Sequence, residues 1–237
     1  MAKGDRLAPP TPSTGDTAHL VASGILSLVP GAPELFRRIV TPPLEKRHNA
    51  WMQDVANAIE KLESNRGLSL EELTNNEAFA SIVLQATYVA IRNHHEEKRR
   101  ALASSIYNAG AAIDIETDLQ LTFVRYIDEL SPSHIVLLRA INDRYSEIAP
   151  LKSYENLYQL LRTNLTNSPT HDVFKMMCLE LQGRGLIRIS QDIEEFSGIY
   201  EASALLLEQT RDDLPRVIIS EVGQQFLKFI SSDNSVA

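Results

Sequence analysis

The residues of this sequence that could do chemistry are histidines and carboxylates at short spacings. Glu45 and His48 stand three positions apart, which on a helix places both side chains on one face. Helical bundles use this Glu-x-x-His element to hold two iron or manganese ions, but a complete site needs two such elements and two further Glu. His94 and Glu97 have the reverse order. Because only fragments of the ligand set are present, the pattern favours polar side chains paired across a bundle, with a metal-dependent hydrolase around these four residues as the alternative.

A polar block over residues 94–100 lies within a helix that the apolar periodicity predicts over residues 76–109. His95 and Glu96 begin like the zincin motif His-Glu-x-x-His, but Arg99 occupies its last position. A guanidinium cannot serve as the zinc ligand, so the zincin interpretation fails. Acidic and basic residues three and four positions apart stabilise exposed helices. We therefore interpret the block as a solvated, internally paired helix face.

Nucleophilic and phosphate chemistry have no motif here. The chain contains no Gly-rich phosphate loop, Walker signature or nucleophile elbow. Its single cysteine, Cys178, lies in the apolar run 176–179, which predicts a buried structural thiol and excludes an internal disulfide framework. The sequence therefore favours a non-enzymatic protein without a cofactor.

Charge and hydropathy limit the classes of partner. The chain of 237 residues carries 23 basic and 31 acidic side chains, for a net charge of −8. Because binding to phosphates takes clustered Lys and Arg, this balance disfavours extended contact with nucleic acid. The apolar stretch Ala18–Pro30 is shorter than the ~20 residues of a transmembrane helix and follows a Pro-rich leader instead of the basic flank of a signal peptide. We predict a cytoplasmic protein without a transmembrane segment.

Composition and periodicity predict a mainly α-helical fold in three parts. With 10 Gly, 11 Pro and 6% aromatic residues, the chain favours helices over a turn-rich β architecture. Residues 1–40 form a Pro-rich leader and the segment Leu20–Val29, which we expect to pack on the protein's own body, with a membrane or partner surface as the alternative. Residues 41–150 form a helical bundle. Residues 151–237 form a smaller mixed domain with two short strands.

Capping residues predict several of the helix boundaries. Ser69 with Glu72, and Thr117 with Gln120, have the spacing of a capping box, in which two side chains satisfy each other's free backbone donors. Ser168, followed by a proline, is expected to cap the helix that ends near Gly183, and Ser220 is expected to cap the final helix. These signals are local and depend on no tertiary contact.

The order of helix, helix, Gly, strand, strand and helix over Tyr154–Ile230 resembles the winged-helix fold of bacterial transcription regulators. The phrases Leu181–Ile187 and Ile219–Leu227 carry the resemblance, and the strands would be Leu186–Ile189 and Arg216–Ile219. In that fold the helix before the first strand enters the DNA major groove. The resemblance implies the same place for Thr170–Gln182.

That helix has few of the side chains that read bases. It offers Lys175 against Asp172 and Glu180, whereas Arg, Asn and Gln are the usual readers. A winged helix used for protein contact therefore fits the charge better, and a DNA-binding regulator remains the alternative. The resemblance gives as candidate interaction residues Thr170, Lys175, Arg184 and Arg188.

The whole chain is also similar to a widespread bacterial family of uncharacterised proteins, a domain of unknown function. The similar phrases are Pro43–Arg47 leading to Trp51, Asn76–Phe79, Ile91–Lys98 and Gly223–Ile230. This similarity implies no activity. The sequence as a whole predicts an interaction module that associates with itself or with a protein partner.

Overall fold

A computed structural model describes residues 42–151, 154–165, 168–189 and 217–232. Within these ranges the chain is mainly α-helical with one small antiparallel sheet, as the sequence predicts. The predicted leader and the segment Leu20–Val29 lie outside them. No helix in the described ranges combines the length and the apolar composition needed to span a bilayer. Contacts divide the chain into two compact units, Met1–Val124 and Arg125–Ala237.

The described part of the first unit is a set of packed helices. They are α1 (Pro42–Arg66), α2 (Leu70–Asn75), α3 (Glu77–Arg92), α4 (Glu96–Gly110) and the first half of α5 (Thr117–Glu129). Helix α1 packs on α3 and α4, and α3 also packs on α2 and α4. The apolar stripe of α1 is buried, with Trp51 and Leu62 fully enclosed, because residues three and four apart share one helix face.

The helix predicted over residues 76–109 is in fact two helices. Asn93 and His95 have extended backbone conformations, with ψ of 137° and 119°, and these separate α3 from α4. Asn and His are weak helix formers, whereas Glu96 and Glu97 are favourable in the first turn of a helix, near its positive end. The polar block is therefore a helix start and not the middle of one helix.

The second unit is built around one central helix. It contains the second half of α5, then α6 (Pro132–Asp143), α7 (Tyr145–Ile148), α8 (Tyr154–Leu161), a short 3-10 turn (Arg162–Asn164), α9 (His171–Gly183), β1 (Ile187–Ile189), β2 (Val217–Ile219) and α10 (Glu221–Phe229). The strands pair antiparallel with Ile187 opposite Ile219. Helix α6 contacts α8, α9, α10 and β2. For this reason the contact division falls earlier than the boundary predicted near residue 150.

Two predicted helix caps are present and two are wrong. Ser69 and Glu72 form the predicted capping box. The predicted box of Thr117 and Gln120 does not form: Oε1 of Gln120, which would accept the cap's backbone N–H, is buried and has no hydrogen-bond partner within the described ranges. The amide nitrogen of Gln120 donates to the carbonyl of Ile115 at 2.7 Å.

The other two predicted caps, Ser168 and Ser220, belong to the second unit. Ser168 has a φ of 37° and does not cap α9; Thr170, with the extended backbone of a cap, takes that position. Ser220 caps α10 as expected, because its hydroxyl accepts the backbone N–H of Gly223 at 2.9 Å.

Candidate functional site

In the described part of the chain, the four candidate metal ligands do not belong to a larger group of ligand side chains. Glu45 is exposed and His48 is half-buried on α1, His94 is exposed before α4, and Glu97 is exposed in its first turn. Across the described ranges, no group of three or more His, Cys, Asp or Glu side chains is placed to hold a metal ion. A zinc or di-metal site takes at least three such ligands, and the four candidates do not reach that number together within the described ranges.

The polar block 94–100 is less solvated than the sequence predicts. Glu96 and Arg100 form the expected pair along the helix, at 2.5 Å. Lys98, however, is only 5% exposed, and Arg99 reaches Asp54 of α1 at 2.8 Å. The interpretation as a purely solvated face is therefore wrong for Lys98 and Arg99, which turn toward the protein interior.

The ion pair of Asp54 and Arg99 is partly removed from water. Burial raises the pKa of Asp54 above its ordinary value, and the nearby Arg99 guanidinium lowers it without cancelling that effect. A carboxyl with a raised pKa in a cleft is a common feature of active sites. Here the carboxylate of Asp54 pairs with the side chain of Arg99 on a neighbouring helix, and this ion pair joins α1 to α4.

A cluster that the sequence analysis did not single out links Ser131, His134 and Glu180. His134 is only 5% exposed. Its Nδ1 lies 2.7 Å from the hydroxyl of Ser131, and it accepts the backbone N–H of Ser131 at 3.2 Å. Its Nε2 lies 3.0 Å from a carboxylate oxygen of Glu180 on α9. A nitrogen that accepts an N–H carries no proton, so in the neutral ring the proton is on Nε2. Nε2 lies within ion-pair distance of Glu180 but without the alignment of a hydrogen bond.

The order hydroxyl, imidazole, carboxylate is that of a catalytic triad, but the local geometry is that of a helix cap. Ser131 and His134 form a capping box at the start of α6, with His in the position that Glu or Gln usually takes. Two described surface cavities, one beside α2 and one between β1 and the start of α10, do not include Ser131 in their linings. The cluster therefore fastens α6 to α9. Its sequence signal is the Ser-x-x-His spacing, whereas Glu180 is joined to it only by the fold.

The four predicted interaction residues occupy different environments in the second unit. Thr170 is the exposed cap of α9, Lys175 is half-buried on that helix, and Arg188 is exposed on β1. Arg184 differs from them, because it pairs with Glu129 at 3.1 Å. Its guanidinium also lies 5.9 Å from the ring centre of Tyr126. Arg184 is thus already engaged within the protein.

The outward face of α9 carries exposed apolar side chains. Val173 is 42% exposed and Met176 is 50% exposed, and their spacing of three residues makes them neighbours on the helix. Asp172 beside them is also exposed. The sequence gives no signal for this face, because Met176 stands in the continuous apolar run 176–179.

The opposite face of α9 contains Cys178, which is buried as predicted. Burial raises the pKa of its thiol to about 12, so the reactive thiolate is almost absent at neutral pH. A buried, protonated thiol is a packing residue and does not act as a nucleophile here.

Comparisons with protein-family models, with curated proteins and with solved structures give no match for this chain. The similarity to a bacterial family and the winged-helix resemblance of the C-terminal third therefore stay predictions.

Proposed function

We propose that this chain is a cytoplasmic protein-interaction module that associates with a second copy of itself through the outward face of α9. The observation that carries the proposal is the pair of exposed side chains Val173 and Met176. Large apolar side chains grouped on one surface are typical of protein contacts. In the winged-helix resemblance, α9 is the helix that faces the partner.

Charge supports a protein partner over DNA. A helix that reads DNA presents Arg, Lys, Asn or Gln to the bases and phosphates. On α9 the exposed positions around Met176 include Asp172, whose carboxylate would be repelled by phosphates. The guanidinium of Arg184 is paired with Glu129 and would have to give up that pair.

The same charges support a second copy as the partner. Asp172 and Lys175 lie three residues apart near the apolar pair, so this surface carries both signs. In a two-fold dimer the same patch is used on both subunits, and a patch with both signs can face its copy without placing only like charges together. One helix face covers less than the ~800 Å² per partner of a standard interface, so we expect weak association.

The test is the mass of the protein as a function of concentration. We expect sedimentation equilibrium to show a monomer–dimer equilibrium in the micromolar range, because the contact is small. Met176→Glu adds a charge at the centre of the face, and we expect it to weaken the dimer at least tenfold. A charge buried without a partner at an interface costs more than the ~1.4 kcal/mol that a tenfold change requires.

Tyr145→Glu provides a matched control. Tyr145 is another exposed large apolar side chain of the second unit, but it lies on α7. We expect this variant to dimerise like the unmodified chain. A monomer at every concentration, or equal weakening by both variants, contradicts the proposal.

A further inference from the structure

Helix α3 has an apolar face that its packing partners leave partly open. Leu84, Tyr88 and Ile91 follow one another at spacings of four and three residues and so lie along one side of the helix. Tyr88 is 51% exposed, and Leu84 and Ile91 are half-buried. The opposite side of α3 is buried, with Phe79, Ile82, Val83 and Ala86 almost fully enclosed.

A helix that is apolar on all sides is usually buried by other parts of the protein on all sides. Packing on α1, α2 and α4 accounts for the buried side of α3. The side formed by Leu84, Tyr88 and Ile91, which we name the α3 outer face, is open to one more covering element.

We infer that the α3 outer face is the docking site for the chain's own apolar segment Leu20–Val29. The segment has the composition LVASGILSLV, without a charged residue. Its small residues allow close approach to a bulky side chain such as Tyr88. A membrane surface fits the segment less well, since interfacial segments carry Lys and Arg on a polar side and this one has none.

The length of the intervening chain permits this contact. Trp51 on α1 donates a hydrogen bond from its indole to the hydroxyl of Thr87, at 3.0 Å, so Tyr88 lies near the level of Trp51. From Pro42 to Trp51 the rise along a helix is about 14 Å. Residues 30–41 connect the segment to α1 and can span about 40 Å when extended. The connection therefore reaches the α3 outer face with length to spare.

The experiment measures a distance within the full-length chain by pulsed dipolar EPR. Spin labels are attached at Ser27→Cys and Ser81→Cys; Ser81 is exposed one turn before Leu84 on the same face. Cys178 does not interfere, because its thiol is buried with a pKa of about 12. Labelled protein is diluted into an excess of unlabelled protein, so that only distances within one chain contribute.

We expect a narrow distribution of short distances, since packed elements lie about 10 Å apart. Tyr88→Asp places a charge on the α3 outer face and should broaden the distribution to long distances. Tyr88→Phe keeps the apolar surface and should leave it unchanged.

Two results overturn the inference. One is a broad distribution in the unmodified chain. The other is a short distance that is present in undiluted labelled protein and absent after dilution with unlabelled protein, which assigns the face to a second copy. Because α9 and the α3 outer face belong to different units, neither result affects the dimer contact proposed for α9.

Discussion

Asp54 is a residue on which two electrostatic effects compete. Burial raises its pKa and the Arg99 guanidinium lowers it, with burial the larger effect. A carboxyl whose pKa is higher in the folded state contributes most to stability at pH values below its unfolded pKa. That contribution is lost as the pH rises through the folded pKa. Asp54 thus opposes folding at neutral pH, and Arg99 limits this cost.

Replacing either of two neighbouring arginines should separate these effects. We expect Arg99→Gln to raise the pKa of Asp54 further, because the opposing guanidinium is removed. Arg100→Gln should act mainly on Glu96, whose pKa is lowered first by its hydrogen bond to Arg100. Carboxyl carbon chemical shifts followed by NMR over pH 2 to 8 report both groups. Equal shifts of Asp54 in the two variants would contradict the assignment.

Cys178 offers a second measurement at the scale of one side chain. Because its thiol is buried with a pKa of about 12 and it is the chain's single cysteine, we expect almost no reaction with a thiol reagent such as DTNB at pH 8. In denaturant the same thiol should react completely. Rapid reaction of the folded chain would show that the α9 core opens readily.

At the scale of elements, α10 lies close against the turn before β1. The backbone N–H of Ser220 donates to the carbonyl of Leu186 at 3.0 Å, and the Ser220 hydroxyl donates to the carbonyl of Gly185. A Cβ at Gly223 would overlap the backbone carbonyl of Leu186. Glycine at position 223 is therefore what lets α10 lie directly on this turn.

Alanine substitutions at two helical glycines should give opposite results. Gly223→Ala forces α10 away from Leu186, and we expect it to lower the free energy of unfolding by about 2 kcal/mol or more. Gly183, the last residue of α9, has open space around it, so Gly183→Ala should be neutral or stabilising by up to about 1 kcal/mol. Urea denaturation followed by circular dichroism measures both. Similar stability of the two variants would mean that α10 can move without cost.

The elements also show which parts of the fold the sequence predicts. The Ser69 and Ser220 caps depend on neighbouring residues, and the sequence predicts them. The two strands are predicted from short β-prone runs, although they pair across the intervening residues 190–216. The break between α3 and α4 was missed because the apolar stripe continues on both sides of Asn93. The contact of His134 with Glu180 joins residues far apart in sequence, so no spacing rule could indicate it.

The exposed surface on α9 likewise depends on tertiary packing that the sequence does not reveal. Periodicity identifies the helix, but Met176 and the buried Met177 are adjacent residues of the same type. Only the packing of α9 on α6 and β1 decides which of them faces outward. The sequence therefore identifies the helix, whereas only the fold shows that Val173 and Met176 face outward.

At the scale of the whole molecule, the division between Val124 and Arg125 lies inside the continuous helix α5. The change from purely helical to mixed patterning in the sequence predicts a boundary near residue 150, in the region after α7. Such a pattern does not show which helices share a core. In the second unit α6 supplies that core, with Leu137, Leu138 and Ile141 almost fully buried.

Because α6 lies at the centre of the second unit, a truncated form of the protein has to retain α6 in order to fold. A fragment of residues 151–237 lacks α6, so the apolar sides of α8, α9, α10 and β2 would face water. We expect it to aggregate, whereas a fragment of residues 113–237, which begins before α5, should stay in solution with a helical circular dichroism spectrum. A soluble, cooperatively melting 151–237 fragment would contradict this. Deletion variants that are used to map a function of this protein therefore have to keep α6 together with the strands. If the 151–237 fragment loses a function, the loss would report misfolding and not a missing contact.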